Sequence, residues 1–377
     1  MPHATPLRSA YVHVPFCRHR CGYCNFSVVA GRDDLEGDYL RAVELELGSL
    51  RQAEQVATLY FGGGTPTRLS PDGLARLCDA VAERLPLAEG GEWTVEANPA
   101  DLEEGVLALL AERGVTRLSL GAQSFDAAKL QRLERDHRPE DIARCVVAAQ
   151  GAGMQVSIDL IFAAPGETLD GWVADLDAAT ALAPDHVSSY GLTYEQGTSF
   201  WSRLRRGDLS QADEELERSM YLTAIDRLAA AGLEHYEVSN FARPGRRSRH
   251  NETYWTGREW WAFGPGAASF VGGVRRTNHR STTTYLKRVL AGESPVAESE
   301  ELTPDERARE RLVFGLRRIE GVDLAELSAE TGRDLEELAG AAIARFVVHG
   351  LLEREASRVR LTREGLLVSD ALWPELL

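Results

Sequence analysis

No stretch of this 377-residue chain approaches the about eighteen uninterrupted apolar residues that a membrane-spanning helix needs. The N-terminal run lacks the charged, apolar and small-residue regions of a signal peptide, so the chain is expected in the cytoplasm with no transmembrane segment. Positive charge is in short supply: 42 Lys and Arg against 58 Asp and Glu leave a net charge of −16. That deficit runs along the chain and argues against sequence-independent binding to nucleic acid or an anionic membrane surface. Cysteine is scarce as well, at five residues. In the cytoplasm such cysteines bind metal, do chemistry or lie buried, rather than forming disulfides. There is no internal repeat, no low-complexity tract, and no G-x-G-x-x-G after the first strand, which weakens a dinucleotide-binding open sheet. A hydrophobic content of 44% and a charged content of 27% are those of a soluble globular protein. The length suits one large domain and a smaller one.

Short apolar runs alternate with amphipathic stretches over the first 230 residues. Strands are expected at 10–14, 57–61, 93–97, 116–121, 155–162 and 186–192, and helices at 38–52, after Ser70-Pro71-Asp72, and at 141–153. This alternation means parallel strands with right-handed crossovers, in an open doubly wound sheet or a partial β/α barrel. After about residue 235 the rhythm changes to short strands, "HYEVS" and "VRRTN", and a Gly-, Arg- and Trp-rich segment. From Thr303 a capping box with proline in the first turn opens a compact helical region. Its ending, "GLLERE", "RVRLT", helix, reads as winged-helix-like. Residues 301–377 hold 11 Arg against 16 Asp and Glu, so DNA binding is not expected there. The expected divisions are 1–235, 236–300 and 301–377.

The loop after the first strand, "CRHRCGYC", places Cys17, Cys21 and Cys24 at C-x3-C-x2-C spacing, with Asn25 where a fourth cysteine would stand. Three thiolates leave two metal readings. Structural zinc wants four closed ligands, which His19 or His13 could complete. A [4Fe–4S] cluster on three thiolates leaves one iron open to a small molecule, and the spacing favours this reading. In β/α barrels the C-terminal ends of the strands carry the chemistry, which is where this loop lies. Cys78 and Cys145 sit in apolar helical patterns and are expected to be buried. His13, inside the first strand, is expected to shape the loop.

The cysteine spacing and "YFGGGTPT" (60–67) resemble the radical S-adenosylmethionine (SAM) superfamily, in which the amino and carboxylate groups of SAM chelate the fourth iron. From Tyr11 almost to the C-terminus, "YVHVPFC", "GGGTPT", "VEANP", "SLGAQSFD", "IDLIFAAPGET" and "GPGAASF" resemble the oxygen-independent coproporphyrinogen III oxidase-like family. The resemblance implies an α/β fold: a partial (β/α)6 barrel with extra strands and a small C-terminal helical, winged-helix-like domain. It implies that Tyr11 and Tyr23 flank the cluster and SAM. Gly63, Gly64, Thr65 and Glu96 would hold the methionine moiety or ribose, and Gln123, Arg135 and Asp159 would make further SAM contacts. Glycines there let the backbone approach the cofactor, and a tight turn by itself would account for one of the three. Arg135 can clamp a carboxylate in bidentate fashion; its local sequence, "QRLERDHR", is equally that of a solvated helix.

Within this family the decarboxylating oxidases carry C-x3-C-x2-C-x-C and a longer N-terminal extension. Here Asn25-Phe26 follows Cys24, and ten residues precede Tyr11. Instead, His250-Asn251-x-x-Tyr254-Trp255 matches the H-N-x-x-Y-W motif of the haem-chaperone branch. His250 offers an imidazole for haem iron, and Trp255, Trp260 and Trp261 offer flat apolar area. Arg246, Arg247 and Arg249 could pair with propionates. Structural roles for a lone histidine and for clustered aromatics are the alternative. The resulting expectation is a haem chaperone that binds haem, delivers it to an acceptor protein, and carries a [4Fe–4S] cluster with SAM. The cluster would gate transfer or formation of a homodimer. A radical SAM coproporphyrinogen III oxidase and a zinc-stabilised barrel are the competing readings.

Overall fold

The structure is a computed structural model and describes residues 7–377. Six parallel strands form its centre: β1 (Ser9–Val14), β2 (Val56–Gly63), β3 (Leu87–Ala97), β4 (Arg117–Gln123), β5 (Gln155–Phe162) and β6 (His186–Gly191). They neighbour one another in chain order, so every crossover advances in one direction. A doubly wound sheet reverses direction at its first strand; this one does not, and the winding is that of a barrel.

Two-residue alternation sorts the side chains. Ala10, Val12 and Val14 on β1, like Leu118 and Leu120 on β4, are fully buried against the surrounding helices. The intervening positions carry Tyr11, Tyr60, Glu96, Ser119 and Asp159 and face the barrel lumen. The first helix, α1 (Glu36–Leu47), buries Tyr39, Leu40, Val43 and Leu47, spaced to form one stripe. The next, α2 (Pro71–Arg84), starts where Ser70 accepts a hydrogen bond from the Gly73 N–H, with Pro71 in the first turn.

Helices α3 (Glu104–Glu112), α4 (Ala127–Arg132), α5 (Pro139–Gly151), α6 (Leu169–Ala181), α7 (Ser199–Arg206) and α8 (Glu214–Ala230) follow in chain order. Beyond β6 the chain also adds β7 (Glu234–Glu237), β8 (Asn240–Ala242), α9 (Arg249–Trp255), β9 (Trp260–Phe263), β10 (Ala268–Val271), β11 (Val274–Asn278), α10 (Thr282–Leu290) and β12 (Val296–Glu301). All these strands join the central sheet, whose order is β12-β11-β10-β9-β1-β2-β3-β4-β5-β6-β8-β7. The expected boundary at 235/236 therefore falls inside a sheet. Segment 236–300 contributes β9, parallel to β1 with Tyr11 opposite Ala262, and its Phe263, Tyr285 and Val289 belong to the barrel's own core.

The C-terminal unit has a separate core of Leu312, Leu316, Leu335, Ile343, Phe346 and Val359. Its helices α11 (Pro304–Leu316), α12 (Leu324–Thr331) and α13 (Leu335–Val348) pack on a small antiparallel sheet formed by 322–323, 352–355 and 358–361. Thr303 and Glu306 make the expected capping box at the start of α11. No helix among the described residues is long and apolar enough to cross a membrane.

Candidate cofactor site

The cysteine loop leaves β1 at its C-terminal end and is anchored on both sides. Two short parallel segments, Phe16–Cys17 and Val29–Ala30, pair with each other, and the Cys24 N–H bonds the Cys21 carbonyl at 3.0 Å. Cys17 Sγ lies 3.8 Å from Thr65 Oγ1; Cys21 Sγ lies 3.6 Å from Arg135 Nη1 and 3.7 Å from the Glu134 carbonyl oxygen. All three thiols are free. Burial pushes Cys17 up to about 12 and raises Cys24, so loading metal here displaces protons.

The donor set suits a cluster better than a single ion. Among the described residues no three His, Cys, Asp or Glu side chains gather around one point as a single ion requires. The zinc completion by His13 also fails on geometry, because both of its nitrogens are used: Nδ1 lies 3.0 Å from the Tyr11 hydroxyl and Nε2 2.8 Å from the Ser27 carbonyl. Burial holds His13 down to about 4, hence neutral. As expected, it shapes the loop. His19 is turned to the Glu134 carbonyl and lies 3.7 Å from Cys21 Sγ.

The glycine run corrects one expectation. A Cβ on Gly64 would lie 2.7 Å from the Phe16 carbonyl oxygen, and Gly63 has φ +104 with a Cβ position 2.2 Å from the His13 ring. A Cβ on Gly62 would meet the Glu96 carboxylate at 2.8 Å. Close packing of the chain on itself therefore requires all three glycines, not one. Thr65 likewise continues the ladder, its N–H bonding the Phe16 carbonyl while its hydroxyl faces Cys17.

Above this turn the lumen holds carboxylates. Glu96 accepts from the Tyr60 hydroxyl (2.7 Å) and the Gly63 N–H (2.9 Å); Asp159 accepts from Ser119 (3.1 Å). Both lie deep in the barrel, yet part of each stays uncovered toward the lumen. Burial raises both groups, Glu96 to about 7. Gln123 ends β4 with φ 64, a left-handed conformation in a non-glycine residue, and its side-chain amide makes no hydrogen bond among the described residues. Arg135 is half-buried rather than solvated: Nη2 donates to the Gly121 carbonyl at 2.9 Å, while Nε is buried without a partner. Tyr23 is half-buried beside Phe200, its ring 6.0 Å away. Three free thiols, a guanidinium with an unused donor, a free amide and two uncovered carboxylates fit a cluster with a zwitterionic ligand.

The H-N-x-x-Y-W residues lie at the opposite, N-terminal end of the strands. His250 is 1% exposed. Its Nδ1 is 2.8 Å from Thr58 Oγ1, its Nε2 is 2.8 Å from the Tyr254 hydroxyl, and its own N–H donates to Glu92. Burial holds it at about 3. The expected imidazole open to iron is thus absent from this conformation, because both ring nitrogens are committed inside the barrel. Trp255 packs on the Arg317 guanidinium (4.6 Å) and near Phe314. Trp260 and Trp261 donate to the Ala268 carbonyl and to Glu54. Asn251 closes the first turn of α9 through its N–H to Ser248 Oγ. Arg246, Arg247 and Arg249 are engaged by Asp185, Glu320 and the Gly90 carbonyl, not left free for propionates.

The sequence reading missed this floor. Arg117, 2% exposed, reaches Glu92 (3.1 Å), Gln155 (2.7 Å) and the carbonyls of Arg246 and Arg247 through one nitrogen. A basic residue opening an otherwise apolar strand, "TRLSLG", was the available signal.

Barrel, cysteine loop and lumen together define the radical SAM class. Residues 11–179 match the radical SAM superfamily, and residues 302–368 match the HemN C-terminal domain. The fold resembles that of coproporphyrinogen III oxidase (HemN) from Escherichia coli, with TM-score 0.87 and 22% identity, covering 100% of this chain and 91% of the other. The haem chaperone HemW of Mycobacterium tuberculosis (strain H37Rv) is 39% identical, covering 97% of this chain and 94% of that one. HemW of Bacillus subtilis (strain 168) is 34% identical, covering 97% and 98%. The chain belongs to the HemW family of radical SAM proteins.

Proposed function

We propose that this chain is a haem chaperone that binds haem and passes it to an acceptor protein. Near-full-length similarity to HemW proteins carries this reading. The absence of a fourth cysteine after Cys24 also sets the loop apart from the decarboxylating oxidases it resembles.

In this reading Cys17, Cys21 and Cys24 hold a [4Fe–4S] cluster, which supplies one iron open to chelation by SAM. Arg135 offsets the anionic charge beside Cys21. Glu96 and Asp159 accept hydrogen bonds from ammonium or hydroxyl groups of the cofactor, and Gln123 presents its free amide. Tyr11 stacks on Tyr60, with rings 6.0 Å apart at 30°, and walls the lumen. The haem-binding surface is assigned to the protein as a whole, since His250 reaches iron only by giving up a hydrogen bond to Thr58 or Tyr254.

The test is a haem titration of the anaerobically reconstituted protein, followed by Soret absorbance. Saturation near one haem per chain, and loss of that haem to an apo-cytochrome acceptor, are expected. A non-saturating titration with an intact cluster overturns the reading.

A further inference from the structure

The residues that mark the H-N-x-x-Y-W motif form a continuous path between the barrel lumen and the C-terminal unit. At the lumen end, the Glu96 carboxylate is held by the Tyr60 hydroxyl at 2.7 Å. The Tyr60 ring lies on the His250 imidazole, centroids 4.9 Å apart and planes 30° apart. The imidazole is fixed by Thr58 on one side and by Tyr254, one helical turn along α9, on the other. At the far end Trp255 packs under Arg317 and beside Phe314. The Arg311 guanidinium donates to the Thr256 carbonyl, and Arg247 pairs with Glu320 at 2.9 Å. Arg311, Phe314, Arg317 and Glu320 all lie in α11 or just beyond it. Beneath α9, Arg117 holds the carbonyls of Arg246 and Arg247 just before the helix, and Glu92 accepts from the His250 N–H.

We infer that His250 is a positioning residue for the cofactor carboxylate Glu96, acting through Tyr60, and that the C-terminal unit sets its position through α9. The inference rests on the radical SAM reading of the lumen. It follows from what each contact can transmit. The ring stack fixes where the Tyr60 hydroxyl stands, and a hydroxyl displaced beyond about 3.2 Å no longer holds Glu96. Nothing else among the described residues donates to Glu96 except the Gly63 N–H. Glu96 is therefore oriented from one side by the cluster-side turn and from the other by α9. In this arrangement the motif acts on the cofactor pocket from below.

The experiment measures SAM affinity of the reconstituted protein from the SAM-induced change in the electron paramagnetic resonance spectrum of the reduced cluster, with thermal unfolding recorded in parallel. His250→Ala should weaken SAM by roughly tenfold or more, the scale of losing an outer-shell partner, with iron content unchanged. His250→Gln, which can still bond Thr58 and Tyr254, should recover most of that loss. Tyr60→Phe keeps the stack, removes only the hydroxyl, and should weaken SAM to the same degree even if His250→Ala proves unstable. Trp255→Ala should act in the same direction but less. Affinities equal to the parent in Tyr60→Phe, or in a folded His250→Ala, overturn the inference while leaving the cofactor reading intact. A loaded parent protein whose spectrum ignores SAM overturns both.

Discussion

Glu92 and Glu96 stand four residues apart on the same strand and face the same lumen, but they meet opposite surroundings. Glu92 is closed in: one oxygen takes Arg117, the other takes the His250 N–H, and the residue is 6% exposed. Glu96 has only neutral donors, Tyr60 and Gly63, and keeps an uncovered edge. At the floor the chain supplies its own countercharge, so the lumen is plugged. Toward the mouth no cation contacts Glu96, and burial raises its carboxyl to about 7. A buried carboxylate without a cation is costly unless a ligand completes it. The lumen thus divides into a structural end and a ligand end.

The sharpest way to test that division is at the cysteines. Serine at Cys17, Cys21 or Cys24 should abolish cluster loading, with iron and acid-labile sulfide falling toward zero while circular dichroism remains that of the parent. Retained iron would break the assignment of the mouth. Next comes the floor. Arg117→Met strands Glu92 in the interior and should cost about 3–5 kcal/mol in urea unfolding, as removing one partner of a buried pair does. Glu96→Gln keeps an acceptor oxygen for the Gly63 N–H, lets the Tyr60 hydroxyl turn to accept from the new amide, and should change apo-protein stability by about 1 kcal/mol or less. Equal costs for the two would erase the contrast.

A pH series separates the two ends further. Burial holds His137 and His235 near 4 and His250 near 3, each below the ordinary 6.5. As pH falls below 6.5 the unfolded chain takes up protons that these folded imidazoles refuse, so stability declines by about 1.4 kcal/mol per pH unit for each. Glu96 and Glu46, raised to about 7 and about 6, work the other way. Folded, they keep protons that the unfolded chain has released, so their contribution grows as pH falls from those values toward 4.5. Asp159, Glu167, Glu217 and Glu237 are raised as well. With His13 also held to about 4 and His186 well below its ordinary value, however, five strongly shifted histidines outweigh the two carboxyls raised furthest. A net loss between pH 6.5 and 5 is expected in chemical denaturation of the apo protein. Glu96→Gln should steepen that loss, by removing one opposing group. The smallest effect is at the edge of the floor, where Trp255→Phe should cost about 0.5–1 kcal/mol as the contact with Arg317 weakens.

Much of this was readable in one dimension. The six barrel strands fall within a few residues of their expected positions, and "VRRTN" is a strand over its full length, 274–278. Ser70 and Thr303 cap the helices they were expected to cap. These signals are local: side-chain period, proline in a first turn, a hydroxyl before a helix. The Cys17–Cys24 loop was readable for the same reason, since its spacing is contained in eight residues.

What the sequence by itself determined is therefore the alternation that builds the barrel, the polar positions that line it, and three thiols on one loop without a fourth. Tertiary structure alone decided the rest. It inserted β9 beside β1, joining residues 236–300 to the barrel. It made all three glycines of the turn a packing necessity, because their obstacles are His13, Phe16 and Glu96 from other strands. It also placed the His250 imidazole against Tyr60, nearly two hundred residues earlier in the chain, with its ring nitrogens bonded to Thr58 and Tyr254. Partners brought together over such separations leave no periodic trace, because only the closed sheet places them within hydrogen-bonding distance.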